Sequence, residues 1–132
     1  MRFYLAKTLS NMKLYGPIYD LTNEPTNRVQ SYLLNYKEHT WFLENMVDDI
    51  NAQCNTLLDD GDYDFFDVNQ CNMLLNWLKK IKLESVPNDY KNMLGILIEY
   101  SSKAIEYGTG IAIELWRRCL NEISISKNFN RN

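Results

Sequence analysis

The feature that most constrains the fold is an apolar period of three and four residues, running from Thr26 almost to the C-terminus. Val29, Leu33 and Tyr36, then Leu43, Val47, Ile50, Cys54 and Leu57, recur at helical spacing. This stretch reads as one helix or two, broken near His39-Thr40, where Thr40 can act as an N-cap. It ends at Asp59-Asp60-Gly61, and Gly61 suits the left-handed position after a helix. The next helix starts at Asp67, which forms a capping-box pattern with Gln70. Its stripe is Cys71, Leu74, Leu75, Trp77, Leu78 and Ile81, with Lys79, Lys80 and Lys82 complementing the dipole in the last turn. A third helix runs from about Asn88 to Tyr107, its apolar arc wide enough to meet several neighbours. Gly108-Thr109-Gly110 ends it. A last helix, from Ile111 to Ile123, gathers Ala112, Ile113, Trp116, Leu120 and Ile123; alternatively, Ile111-Ala112-Ile113 opens a strand. Residues 1–25 follow no single period. They read as a short helix or strand, a Gly16-Pro17 turn, and an irregular link through Asn23-Glu24-Pro25. Residues 124–132 read as a frayed tail. These elements predict an all-α, single-domain bundle of four to five helices across residues 1–132, with little or no strand.

The chain is long enough for one domain with a real hydrophobic core. No stretch approaches the roughly 20 apolar residues of a membrane helix, and there is no apolar signal segment near the start. The expectation is a cytoplasmic protein with no membrane partner. Cys54, Cys71 and Cys119 are odd in number and fall on apolar faces, which suits reduced, buried thiols. No Cys-x-x-Cys is present, and His39 is the only histidine. Zinc sites, Ser-His-Asp triads and Cys-His dyads therefore have little to draw on. No catalytic residue, metal or cofactor is expected.

Charge supplies the functional signal. From Glu38 to Leu78 there are nine acids and no Lys or Arg, whereas the whole chain carries −3, so the remainder sums to +6. Asp60, Asp62 and Asp64 have the first three spacings of an EF-hand loop. Phe65 and Cys71 stand where that loop needs Gly and Glu, so calcium binding is not expected. Asp62, Asp64 and Asp67 are explained by capping the next helix. Asp59 and Asp60 are not, because they would fall at the negative end of the preceding helix. Glu44 and Asp48 form a like-charge pair four residues apart that no Lys relieves. Positions that break a local rule without compensation are candidates for function. Trp41 shares their outward face, as in a binding hot spot rimmed by charge; the alternative is that it turns back onto the core. Phe65 and Phe66 either staple the next helix to the core or, with Tyr63, present anchors to a partner. The candidate contact surface is Trp41, Glu44, Asp48, Asp49, Asp59, Asp60, Asp62, Tyr63, Asp64 and Phe65. Acid–base catalysis is disfavoured, since it needs a carboxyl raised in pKa within a cleft. Nucleic-acid binding is disfavoured as well, because the acids repel phosphate and the bases, including Lys79, Lys80, Lys82, Arg117 and Arg118, are scattered. A partner with a basic surface remains, approached under electrostatic steering.

With Glu44, Asp48, Asp49 and Asp59 to Asp67 clustered in a short acidic chain without a catalytic motif, the sequence resembles the small immunity proteins of bacterial contact-dependent growth inhibition and related polymorphic toxin systems. The resemblance implies that the chain binds one cognate toxin, often a nuclease such as an RNase, and blocks it. Those proteins share no common motif, so no residue role carries over. Two other readings stand beside it: a phage-type acidic inhibitor of a nucleic-acid enzyme, and a non-inhibitory helical adaptor or assembly subunit.

Overall fold

The computed structural model describes residues 1–115. Within them Arg2–Ala6 forms β1, an inner strand of a four-stranded antiparallel sheet. Its neighbours are β4 (Val29–Leu33) on one side and β6 (Gly110–Glu114) on the other, and β5 (Tyr63–Phe66) closes the far edge. A two-stranded hairpin, β2 (Leu14–Tyr15) and β3 (Ile18–Tyr19), makes a second small sheet. Four α-helices, α1 (Tyr36–Asn45), α2 (Val47–Cys54), α3 (Val68–Leu78) and α4 (Asn88–Tyr107), and a 3-10 turn at Leu83–Ser85 complete the described residues.

The all-α expectation is therefore wrong: the fold mixes helices with antiparallel sheet. The error has a physical source. Strand side chains alternate between faces, so an apolar pair four residues apart shares a face in a strand as it does in a helix. Val29 and Leu33 were ambiguous for that reason, and they belong to β4. In β1 and β6 the usual alternation is missing because both faces are covered. Phe3, Leu5, Ile111 and Ile113 join the main core with the helices, while Tyr4, Ala6 and Ala112 join a second cluster with Met12, Leu21 and Phe65. The segment 1–25 read as irregular thus contains β1 and the hairpin. Ile111 to Glu114 takes the strand alternative, and the rest of the expected last helix, the tail and Cys119 lie outside the described residues.

Residues 26–58 are not helical throughout: they hold β4 and then two helices, which part at Met46 rather than near His39-Thr40. After β4, Asn35 caps α1 and exchanges bonds with Glu38 in a full capping box, so Thr40 lies inside the helix. The chain breaks at Met46 and α2 ends at Asn55, whose φ of 58° takes the left-handed position expected of Gly61. Leu57 then leaves the apolar stripe altogether and is 90 % exposed. The Asp67–Gln70 capping box and the span Asn88–Tyr107 agree with the sequence reading.

Two glycines make opposite predictions. At Gly110 a Cβ would collide with the Phe65 ring and the Phe66 carbonyl, where the end of β5 lies beside the start of β6. Gly110→Ala should lower stability in urea unfolding by about 2–3 kcal/mol, the cost of overpacking a core. Gly95 lies inside α4 with open space around it. Gly95→Ala should raise stability by about 0.5–1 kcal/mol through helix propensity.

Candidate functional site: an acidic cleft between hairpin and sheet

The hairpin is built by its turn. Gly16 has φ of 60°, and Pro17 follows with its ring-fixed φ, so Tyr15 pairs with Ile18 across a two-residue turn. The Asp20 amide donates to the Lys13 carbonyl at 2.9 Å and extends the pairing. Tyr63, the first residue of β5, locks this arm over the sheet. Its hydroxyl donates to the Tyr19 carbonyl at 2.6 Å and accepts from the Leu21 amide at 2.9 Å. The rings of Tyr19 and Phe65 then meet edge to face at 5.3 Å.

Between arm and sheet lies a cleft of about 450 Å³, lined by Tyr15, Asp20, Thr22, Asn23, Gly61, Asp62, Tyr63 and Glu114. Strand register places Glu114 here. It sits between Arg2 of β1 and Tyr63 of β5, on the face shared with Tyr4 and Phe65. Glu114 is only 8 % exposed. The Tyr4 hydroxyl donates to its Oε1 at 2.8 Å, and the Met1 nitrogen lies 3.9 Å from the same oxygen. Burial, followed by the Glu114 charge, pushes the Tyr4 phenol well above its ordinary range. Burial raises Tyr63 similarly, reinforced by Asp20, Glu114 and Asp64. Both phenols remain neutral hydrogen-bonding groups around a buried carboxylate.

Nearby bases face other partners. Lys13 reaches Glu24 at 3.3 Å, and Arg28 reaches the same carboxylate at 2.9 Å. An Arg2 guanidinium nitrogen donates to the Ser31 hydroxyl at 3.2 Å. Asp59 and Asp62 make no ion pair among the described residues, and Asp62 is exposed. Asp60 lies 3.6 Å from Nε2 of the fully buried His39. Asp59 and Asp60 occupy the exposed turn leading into the cleft, held by the Asp62 amide on the Asp59 carbonyl and the Gly61 amide on the Leu115 carbonyl.

The ten candidate residues consequently divide. Asp62 and Tyr63 line the cleft, with Asp59 and Asp60 at its approach. Asp64 and Phe65 do not act with them as one loop, because β5 alternates: Phe65 is buried under the hairpin and Asp64 takes the opposite face. Neither Asp62 nor Asp64 caps a helix; only Asp67 does. Asp59 and Asp60 lie beyond the end of α2 rather than at it. Asp48 and Asp49 sit in the first turn of α2, where the helix dipole favours them, so they have a local explanation. Trp41 stacks on Tyr90 of α4 at 4.8 Å and packs against the main core. It lines, with Glu44, a shallow cleft of about 200 Å³ that shares no residue with the acidic one.

Tyr15, Asp20, Thr22, Asn23 and Glu114 were missed. Leu14-Tyr15 and Ile18-Tyr19 flanking Gly16-Pro17 carry a hairpin signal. Glu114 carries none, since only register brings it there. Among the described residues no group of three or more His, Cys, Asp or Glu is placed to hold a metal. No described helix is long and apolar enough to cross a membrane. Cys54 and Cys71 are buried and free, and burial pushes their thiols up to about 11 and about 12, so they are poor nucleophiles. No family model, curated protein or solved structure matches the chain.

Two substitutions test this geometry. Tyr63→Phe strands the buried Leu21 amide and should cost about 1–3 kcal/mol, with faster hydrogen exchange at Leu21. Asp64 has its pKa raised, chiefly by burial. A carboxyl raised on folding penalises stability above its folded pKa, and the penalty fades as pH falls through that value. Asp64→Asn should therefore melt higher than the parent at pH 7, and the gap should close below pH of about 4, where free carboxyls protonate.

Proposed function

We propose that this chain is an immunity-type inhibitor that binds a cognate toxin with a basic surface, a nuclease in the simplest case, through the acidic cleft and the Asp59–Asp62 turn. One observation carries the reading. Asp20, Asp62 and Glu114 converge on a tyrosine-lined cleft; the Met1 nitrogen meets one oxygen of Glu114, while Lys13 and Arg28 are engaged with Glu24 and Arg2 with Ser31. Concentrated acid beside a concave, aromatic-edged surface favours a positive protein partner. It steers encounter, with on-rates up to about 10⁸–10⁹ M⁻¹s⁻¹ at low salt, and supplies carboxylates for the Lys or Arg that a nuclease uses to grip phosphate. Cytoplasmic action follows from the same reading, because a nuclease toxin is dangerous where nucleic acid is.

The test is to purify the partner captured from the native host and measure association by stopped flow across ionic strength. Changing Asp59, Asp60 and Asp62 together to Asn should slow association about tenfold or more at low salt and flatten the salt dependence. Trp41→Ala should change the on-rate little. Unaltered on-rate and affinity in the triple variant would reject the acidic surface as the binding face.

A further inference from the structure

The acidic cleft differs from an exposed acidic patch in what lies at its floor. Glu114 is nine-tenths buried yet lines the cavity, and both of its contacts, from Tyr4 and Met1, fall on Oε1. Oε2 has no hydrogen bond among the described residues. Oε2 is not among the fully buried unpartnered polar atoms, so it is reachable from the cleft, where a cation can meet a carboxylate whose remainder is buried. Asp20 is also half-committed: its Oδ1 accepts from the Thr22 amide at 2.9 Å and the Thr22 hydroxyl at 2.6 Å. At the mouth, Tyr15 is 62 % exposed, and its ring meets Tyr63 edge to face at 6.1 Å.

We infer that this cleft is a receptacle for the guanidinium group of an arginine side chain of the basic partner, held by Glu114, Asp20 and Asp62 and flanked by Tyr15 and Tyr63. The inference deepens the inhibitor reading and rests on it for the partner's nature. The cleft, at about 450 Å³, is large enough to admit a whole long side chain. Chemistry favours arginine over lysine. A guanidinium is planar, offers five donors to carboxylates approaching from several sides, and stacks on an aromatic face. It is also less strongly hydrated than an ammonium, so it enters a partly enclosed cleft more readily. The partly buried floor strengthens each charge contact relative to one made in open water.

The cleft can be tested without the partner. Nα-acetyl-arginine N-methylamide, titrated into the ¹⁵N-labelled full chain, should shift amides of Tyr15, Asp20 to Asn23, Gly61 to Tyr63 and Glu114, with saturation in the millimolar range. The neutral citrulline isostere should leave them unmoved, and the lysine analogue should bind more weakly. Tyr15→Ala and Asp62→Asn, both at exposed positions that keep the fold, should each weaken the arginine probe by about threefold to tenfold. Glu114→Gln should weaken it further where spectra confirm folding. Three results would overturn the inference: no saturable shifts at these residues, equal shifts with citrulline, or tighter binding of spermidine at the same amides, which would make this a small-polyamine site. The two readings can fail separately. A captured basic partner that binds Tyr15→Ala and Asp62→Asn as well as the parent sinks the receptacle alone. A cleft that binds the arginine probe in a chain with no basic partner sinks the inhibitor reading alone.

Discussion

The Tyr63 hydroxyl is the joint on which the site depends. It donates to the Tyr19 carbonyl and accepts from the Leu21 amide, tying the hairpin arm to the edge strand of the main sheet. A two-stranded hairpin alone is marginal in water and needs a surface to pack on. Here the surface is the sheet face formed by Tyr4, Ala6, Ala112 and Phe65, the same face that carries Glu114 at the end of β6. Covering that face stabilises the sheet and, at its open end, leaves a cleft floored by a carboxylate. Stability and site thus come from one packing event.

Charge follows the same geometry. The acids between Glu38 and Leu78 look like a single block in sequence, but the fold sorts them by role. Glu38 and Asp67 complete capping boxes, Asp48 and Asp49 sit at a positive helix start, and Asp64 turns to the other face of β5. Asp59, Asp60 and Asp62 remain at the cleft approach, joined by Asp20 and Glu114 from distant parts of the chain. The acids at the cleft are therefore fewer than the −9 block, and some of them lie outside it.

How much was legible depended on the length scale of the cue. Local chemistry read well: the Asp67–Gln70 box and the long apolar arc of Asn88–Tyr107 needed no tertiary information. The strands did not. β1 and β6 are covered on both faces and so lose their alternation, and in β4 Val29 and Leu33 satisfy helix and strand spacing alike. Asp59 and Asp60 stand out in sequence for breaking a helix rule, yet the helix ends earlier at Asn55, and the two acids lie exposed on the turn beside the cleft. Glu114 was out of reach, since its position depends on pairing with β1 across almost the whole described chain.

Under the proposed function, both walls of the cleft, hairpin and acidic turn, form one binding surface for a basic protein. Hydrogen–deuterium exchange of the chain alone and saturated with its purified partner tests it most directly. The account predicts new protection in two separate stretches together, around Tyr15 to Asn23 and around Asp59 to Tyr63, with little change along α1. Protection confined to α1 around Trp41 and Glu44, with both cleft walls exchanging as in the free chain, would contradict it.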